Sequence, residues 1–367
     1  MKIGLITIHN ANNYGAVLQT FALVKVLSRF GEVEVINYNN RHISRDFDLI
    51  RFYPSIHGLL GTGKDIFRII PRRKAIGKFL DFIDTYLNTT KLFSKVELEE
   101  EKSDVFDIYV SGSDQIWNPV CVSSDNVFDP IYFCDFISSG KKKISYASSL
   151  GSHQFSASEK QQLKMYLKDF NHISVREKDA QLLLNDLLPS TVEHVLDPTL
   201  LLSKQEWLDS FGIKEIVSKE KYILLYSVPK SKLLSETVDY VSKKLNMKVI
   251  AINQSLATGA KVDQQIRDAG PIEFLNYFSS ASFVITDSFH GTCFALNFGI
   301  PFVSVSAGKN INRVQSLLSI VGLENMILKE IQQLKDIGFN TDFTNAHSKL
   351  LEVRKESIDY LANALED

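Results

Sequence analysis

The sequence predicts an α/β protein of two unequal domains with a cleft between them. Three observations carry that expectation. Short β-branched runs alternate with longer helical patterns through most of the chain, as a parallel sheet flanked by helices requires. The 367 residues exceed the roughly 250–300 at which a single core stops growing. The strand candidates also fall into two series, separated by a polar, helix-like stretch at about 200–220 that holds Trp207, Lys214 and Glu215.

In chain order, the first series comprises residues 3–8, 33–38, 107–111, 143–148, 171–175 and 192–196. The second comprises Tyr222–Tyr226, Lys248–Ile252, Phe283–Thr286 and Pro301–Val305. These series define expected domains 1–205 and 220–340, and a final helix at about 344–365 sets residues 341–367 apart. No internal repeat or low-complexity segment is evident.

A hydrophobic content of 44% with 23% charged residues excludes disorder. The 41 basic and 43 acidic side chains leave a net charge of -2, so no bulk field favours nucleic acid or an anionic membrane. Any anion must be held locally. Cys121, Cys134 and Cys293 are far apart and form no C-x-x-C pair, which argues against a disulfide framework or structural zinc. Lys2 and the strand-like Ile3–Ile8 follow Met1 without the apolar region of a signal peptide. Nor does any stretch approach the roughly 20 apolar residues of a spanning helix. The expectation is a soluble, cytoplasmic protein. Residues 64–82 interleave Lys64, Arg68, Arg72, Arg73, Lys74 and Lys78 with apolar side chains around Pro71. That pattern suits either a peripheral membrane contact or an ordinary surface helix with solvated charges.

Several strand ends gather polar residues where α/β domains bind ligands. The first strand runs into His9–Ala16, whose Asn12, Asn13 and Tyr14 precede a helix offering free N–H groups to an anion or sugar. An Asn-rich helix cap is the alternative. At Ser111–Pro119, Asp114 is placed to take a proton from a sugar hydroxyl, Ser113 and Gln115 add polar groups, and Trp117 is a candidate wall for a sugar ring. A capped helix with Trp117 in the core is the other reading. Arg176 follows another strand and suits bidentate capture of a carboxylate or phosphate, or pairing with Glu177 or a nearby Asp.

In the second domain, Asp287, Ser288, His290 and Gly291 occupy a strand-to-helix switch, a place for proton transfer or oxyanion binding. Gly308 and Lys309 follow the next strand, before a helix bearing Arg313, and make a candidate phosphate site or a plain turn.

Taken in order, Asn12–Gln19, Ser111–Trp117, Ser174–Glu177, Asp197–Thr199 and Asp287–Gly291 resemble the polysaccharide pyruvyl transferase family over about residues 1–325. The resemblance implies two Rossmann-like domains facing each other across a cleft, as in glycosyltransferases of the B type. It implies phosphoenolpyruvate as co-substrate, with no resident cofactor or metal, and an acceptor with two suitably placed hydroxyls on a sugar or lipid-linked oligosaccharide. On that analogy, Asn12, Asn13, Tyr14, Ser113, Gln115 and Trp117 face the acceptor. Arg176, Ser288, Gly291, Gly308, Lys309 and Arg313 hold the donor, His290 is the acid, and Asp114 or Asp287 is the base. Some family members carry Arg-Leu-His where this chain has Ser288-Phe289-His290, so either Arg176, Lys309 or Arg313 supplies that charge or the donor differs. A nucleotide-sugar glycosyltransferase and a non-catalytic glycan-binding relative are the competing readings.

Overall fold

The computed structural model describes all residues except 50–68, 102–104, 138–139, 215–219, 228–230, 256–257, 307–310, 336–337, 340 and 367. Its chain divides into two units. The first comprises 1–46, 82–201 and 351–367; the second comprises 47–81 and 202–350. The expected domains were continuous, whereas both units are assembled from separate stretches. The final helix, Thr344–Glu366, shows the cause for residues 351–367. Arg354 Nε donates to Leu200 O, Ser357 Oγ accepts from Leu196 N, and the Tyr360 hydroxyl donates to Ser145 O. These bonds tie the end of the chain to the first unit.

In the first unit, β1 (Lys2–Ile6), β2 (Glu32–Val35), β3 (Ile108–Ser111) and β4 (Lys142–Ser145) form a parallel sheet in the order β2-β1-β3-β4. Ile3, Leu5 and Ile6 are fully buried, as befits an inner parallel strand covered on both faces. Two further strands, β5 (Ile173–Val175) and β6 (Val192–His194), pair with each other. Single bridges from Ile144 to His172 and from Ser148 to Val175 carry the pairing on from β4. The helix Tyr14–Leu27 starts at Asn13, whose side chain accepts from Gly15 N and Ala16 N.

The second unit holds β7 (Tyr222–Tyr226), β8 (Lys248–Ile252), β9 (Gln264–Ile266), β10 (Phe283–Thr286), β11 (Phe302–Val305) and β12 (Ile327–Leu328). All pair in parallel in the order β12-β11-β10-β7-β8-β9. The two edge strands were not expected from sequence. Strand β9 is largely polar and only partly buried, and β12 has two residues, too few for a periodic signal.

The basic segment forms part of the helix Ile69–Tyr86; residues 64–68 lie outside the described residues. Pro71 falls in the first turn, where its missing N–H costs no helical bond, so it does not interrupt the helix. Arg72 is buried and donates through Nε and Nη2 to Asp48 O at 3.1 and 3.0 Å. Lys78 pairs with Glu273 at 2.5 Å and Lys74 approaches Asp268 at 4.0 Å. Arg72, Lys74 and Lys78 thus have partners within the second unit, whereas Arg73 is exposed. Among the described residues, no helix is long and apolar enough to cross a membrane, and no disulfide links the three cysteines.

Candidate functional site

In the first unit, polar loops gather at the carboxyl ends of β1, β3, β4 and β5. Thr7 Oγ1 donates to Ser113 O at 3.1 Å, and Ser113 Oγ donates to Ala147 O at 2.8 Å, so three loops are stitched together. Gly112 has a φ of +140°, and a Cβ there would overlap Tyr146 O, so only glycine permits this approach. The loop then turns through Asp114, whose φ is +68°. Asn12 is partly buried, Asn13 is exposed at the helix cap, and Tyr14 is buried in the first turn. Gln115 is half-buried and accepts from Asn118 Nδ2.

Trp117 departs from its expected role. It is fully buried, stacked on Phe133 at 5.4 Å, and donates from Nε1 to Tyr132 O. It therefore builds the core beneath the loop and offers no wall to a sugar. Behind the loop lies the carboxylate pairing that the sequence offered as the alternative role of Arg176. Arg176 Nη1 bonds Asp197 at 2.6 Å, Nε bonds Glu177 at 3.2 Å, and Nη2 reaches Asp114 at 3.4 Å. Burial alone would weaken the guanidinium's hold on its proton, but Asp197, Glu177 and Asp114 outweigh it and hold the pKa above its ordinary value. Arg176 thus sits with Asp114 in the first unit, paired with its own neighbouring carboxylates. Pairing with carboxylates is the role the structure supports.

In the second unit, the site forms where β10 passes into the helix Phe289–Phe298. Thr286 Oγ1 donates to Tyr226 O at 2.7 Å and accepts from Ser288 N at 3.0 Å. Ser288 is the N-cap, its side chain accepting from Gly291 N. A Cβ at Gly291 would overlap Thr286 Oγ1 and lie 2.9 Å from Tyr226 Cδ1. Glycine here lets the helix start close on the sheet. Asp287 is buried and, with Ser304 and Ser306, lines a cavity of about 10 Å³, room for roughly one water. His290 is buried in the first turn, its ring edge-on to Phe289 at 5.3 Å, while Arg313 lies over the Phe289 ring with Cζ 5.7 Å from its centroid.

The second unit thus brings Asp287, Ser288, His290, Gly291 and Arg313 together around one helix start. Gly308 and Lys309 lie outside the described residues. The sequence reading missed Tyr226 as a site residue. Its hydroxyl stays protonated because burial and the charge of Asp287 raise its pKa against an opposing hydrogen bond with Ser288. Its pairing opposite Thr286 was the missing signal. Among the described residues, no group of three or more His, Cys, Asp and Glu could hold a metal ion.

The two α/β units with parallel sheets are of the GT-B type of fold, which solved structures of UDP-GlcNAc 2-epimerases share. The UDP-GlcNAc 2-epimerase of Methanocaldococcus jannaschii, in complex with UDP-GlcNAc and UDP, is similar at a TM-score of 0.54 and 13% identity, over 97% of this chain and 99% of that one. The Neisseria meningitidis UDP-GlcNAc 2-epimerase bound to UDP-GlcNAc gives 0.53 and 12%, over 100% and 99%. At such identities the likeness shows the fold alone. No curated protein matches the sequence. The family model for polysaccharide pyruvyl transferase matches residues 13–308, and the chain belongs to that family of transferases.

Proposed function

We propose that this protein transfers the pyruvyl group of phosphoenolpyruvate to two hydroxyls of a sugar in a cell-surface polysaccharide or its precursor. The products are a pyruvate ketal and inorganic phosphate. The observation that carries this reading is the family match, which spans both the Asp114 loop and the His290 helix start. Phosphoenolpyruvate carries a carboxylate and a phosphate, and an anion is favoured where a helix start meets a cation. Arg313 and the N–H groups after Ser288 supply that combination in the second unit. With Ser288 engaged as a cap, Arg313 takes over the charge that other members carry at that position.

His290, as general acid, protonates the methylene carbon of the donor. A sugar hydroxyl adds to the neighbouring carbon and gives its proton to Asp114. The carbon–oxygen bond to phosphate breaks and the phosphate leaves with that proton. The second hydroxyl then adds to the same carbon, closing the ketal and returning its proton to His290. Asp114 is preferred over Asp287 as base because it belongs to the polar loops assigned to the acceptor. No resident cofactor enters this scheme, and the reading places the protein in the cytoplasm, where phosphoenolpyruvate is available.

The experiment combines the protein with phosphoenolpyruvate and candidate acceptors, following phosphate release and the mass gained by the sugar. His290→Ala should lower turnover about 10²–10⁴-fold. Equal turnover by this variant would end the assigned role. A nucleotide-sugar glycosyltransferase would instead be stabilised thermally by UDP or GDP and not by phosphoenolpyruvate. Glycan binding without donor binding or turnover would indicate the non-catalytic alternative.

A further inference from the structure

We infer that Arg176 is a positioning residue for Asp114, clamped by Asp197 and Glu177, and not a grip on the donor. The inference rests on the reading of Asp114 as the base. Three different nitrogens of one guanidinium meet three different carboxylates: Nη1 meets Asp197 at 2.6 Å, Nε meets Glu177 at 3.2 Å, and Nη2 meets Asp114 at 3.4 Å. A planar fork can do this where an ammonium cannot.

The order of exposure gives the arrangement a direction. The side chains of Arg176, Glu177 and Asp197 are 1%, 3% and 0% exposed, and that of Asp114 is 11%. Asp114 is thus the least buried of the four side chains. Both buried carboxylates are themselves fixed from behind. Asp197 Oδ1 accepts from Thr199 N at 2.9 Å and Oγ1 at 2.6 Å, and Glu177 Oε1 accepts from Ser149 Oγ at 2.6 Å. Ser149 also donates its N–H to Asp114 O at 2.9 Å, so one residue braces both the clamp and the loop it holds.

Two features set this cluster apart from a donor site. One arginine among three carboxylates leaves a formal charge of -2, which opposes a ligand bearing a carboxylate and a phosphate. In addition, Glu177 Oε2 is buried without a hydrogen bond among the described residues. Such a group costs stability, so its retention points to a role for the carboxylate beyond folding. That role is to fix Arg176 through Oε1 while Asp114 is kept in its left-handed turn.

The test is steady-state pyruvyl transfer with phosphoenolpyruvate varied, using Arg176→Lys, Glu177→Gln, Asp114→Asn and the Arg176→Lys/Asp114→Asn pair. Arg176→Lys and Glu177→Gln should each lower kcat about tenfold or more and leave KM for phosphoenolpyruvate within about twofold. In the Asp114→Asn background, Arg176→Lys should add no further loss, because its effect passes through Asp114. A raised KM for phosphoenolpyruvate with kcat retained, or losses that multiply in the pair, would overturn the positioning role alone. Wild-type turnover by Asp114→Asn would instead remove the base reading and the inference with it. Should the buried variants fail to fold, Ser149→Ala keeps every charge and should show a smaller loss confined to kcat; wild-type kinetics there would count against the clamp.

Discussion

Trp117 separates the two roles that its loop suggested, because a sugar wall and a core anchor respond differently to truncation. Its indole is fully buried, stacks on Phe133 at 5.4 Å and meets Phe170 edge-on at 5.9 Å. Truncating a buried tryptophan to alanine costs about 3–5 kcal/mol. Losing the Nε1 bond adds little, since Tyr132 O also accepts from Ser111 Oγ at 2.6 Å. For a unit of this size, each kcal/mol is about 2–4 °C, so Trp117→Ala should lower the melting temperature of the first unit by roughly 6–20 °C. Trp117→Phe preserves much of the stacking and should recover most of that loss. Differential scanning calorimetry reads both, and acceptor KM measured well below the transition should be unchanged for Trp117→Phe. A variant that melts like wild type but has lost acceptor affinity would refute the core assignment.

Three further outcomes follow from the geometry. Gly291→Ala must push the helix start away from Thr286 and Tyr226; it should cost about 1–3 kcal/mol and lower turnover, as thermal melts and phosphate release would reveal. Ser288→Ala removes the cap on Gly291 N and should cost about 1 kcal/mol, which Ser288→Asp restores because aspartate also caps; equal melting of all three proteins would dismiss the cap. His9 and His194 have pKa values lowered chiefly by burial, against hydrogen bonds that raise them. Each is therefore harder to protonate folded than unfolded. Their stabilisation is complete above the unfolded value of about 6.5 and is lost as pH falls below it. Melting temperatures from pH 7.5 to 5.5 should decline, and less steeply in His9→Gln.

Alternating apolar runs and polar punctuation are local features, and they placed ten strands of the fold within a few residues. They also marked the strand ends where Asp114, Arg176 and His290 stand, because a parallel sheet presents its loops at the carboxyl edge whatever the side chains. Five motifs in order were enough to suggest the family.

What local sequence left open was the partner of each group. Arg176 reads equally as a ligand grip or an ion pair until Asp197, 21 residues later, is brought to 2.6 Å by the pairing of β5 with β6. Trp117 reads as wall or core until Phe133 and Phe170 close on it. Tyr226 gains its place only when β7 lies against β10. Residues 47–81 and 351–367 could not be assigned from their own pattern, since unit membership depends on long-range contacts. Periodicity fixes which side of an element is apolar; only tertiary packing decides which group from a distant stretch neutralises a buried charge, and in this protein that decides what Arg176 does.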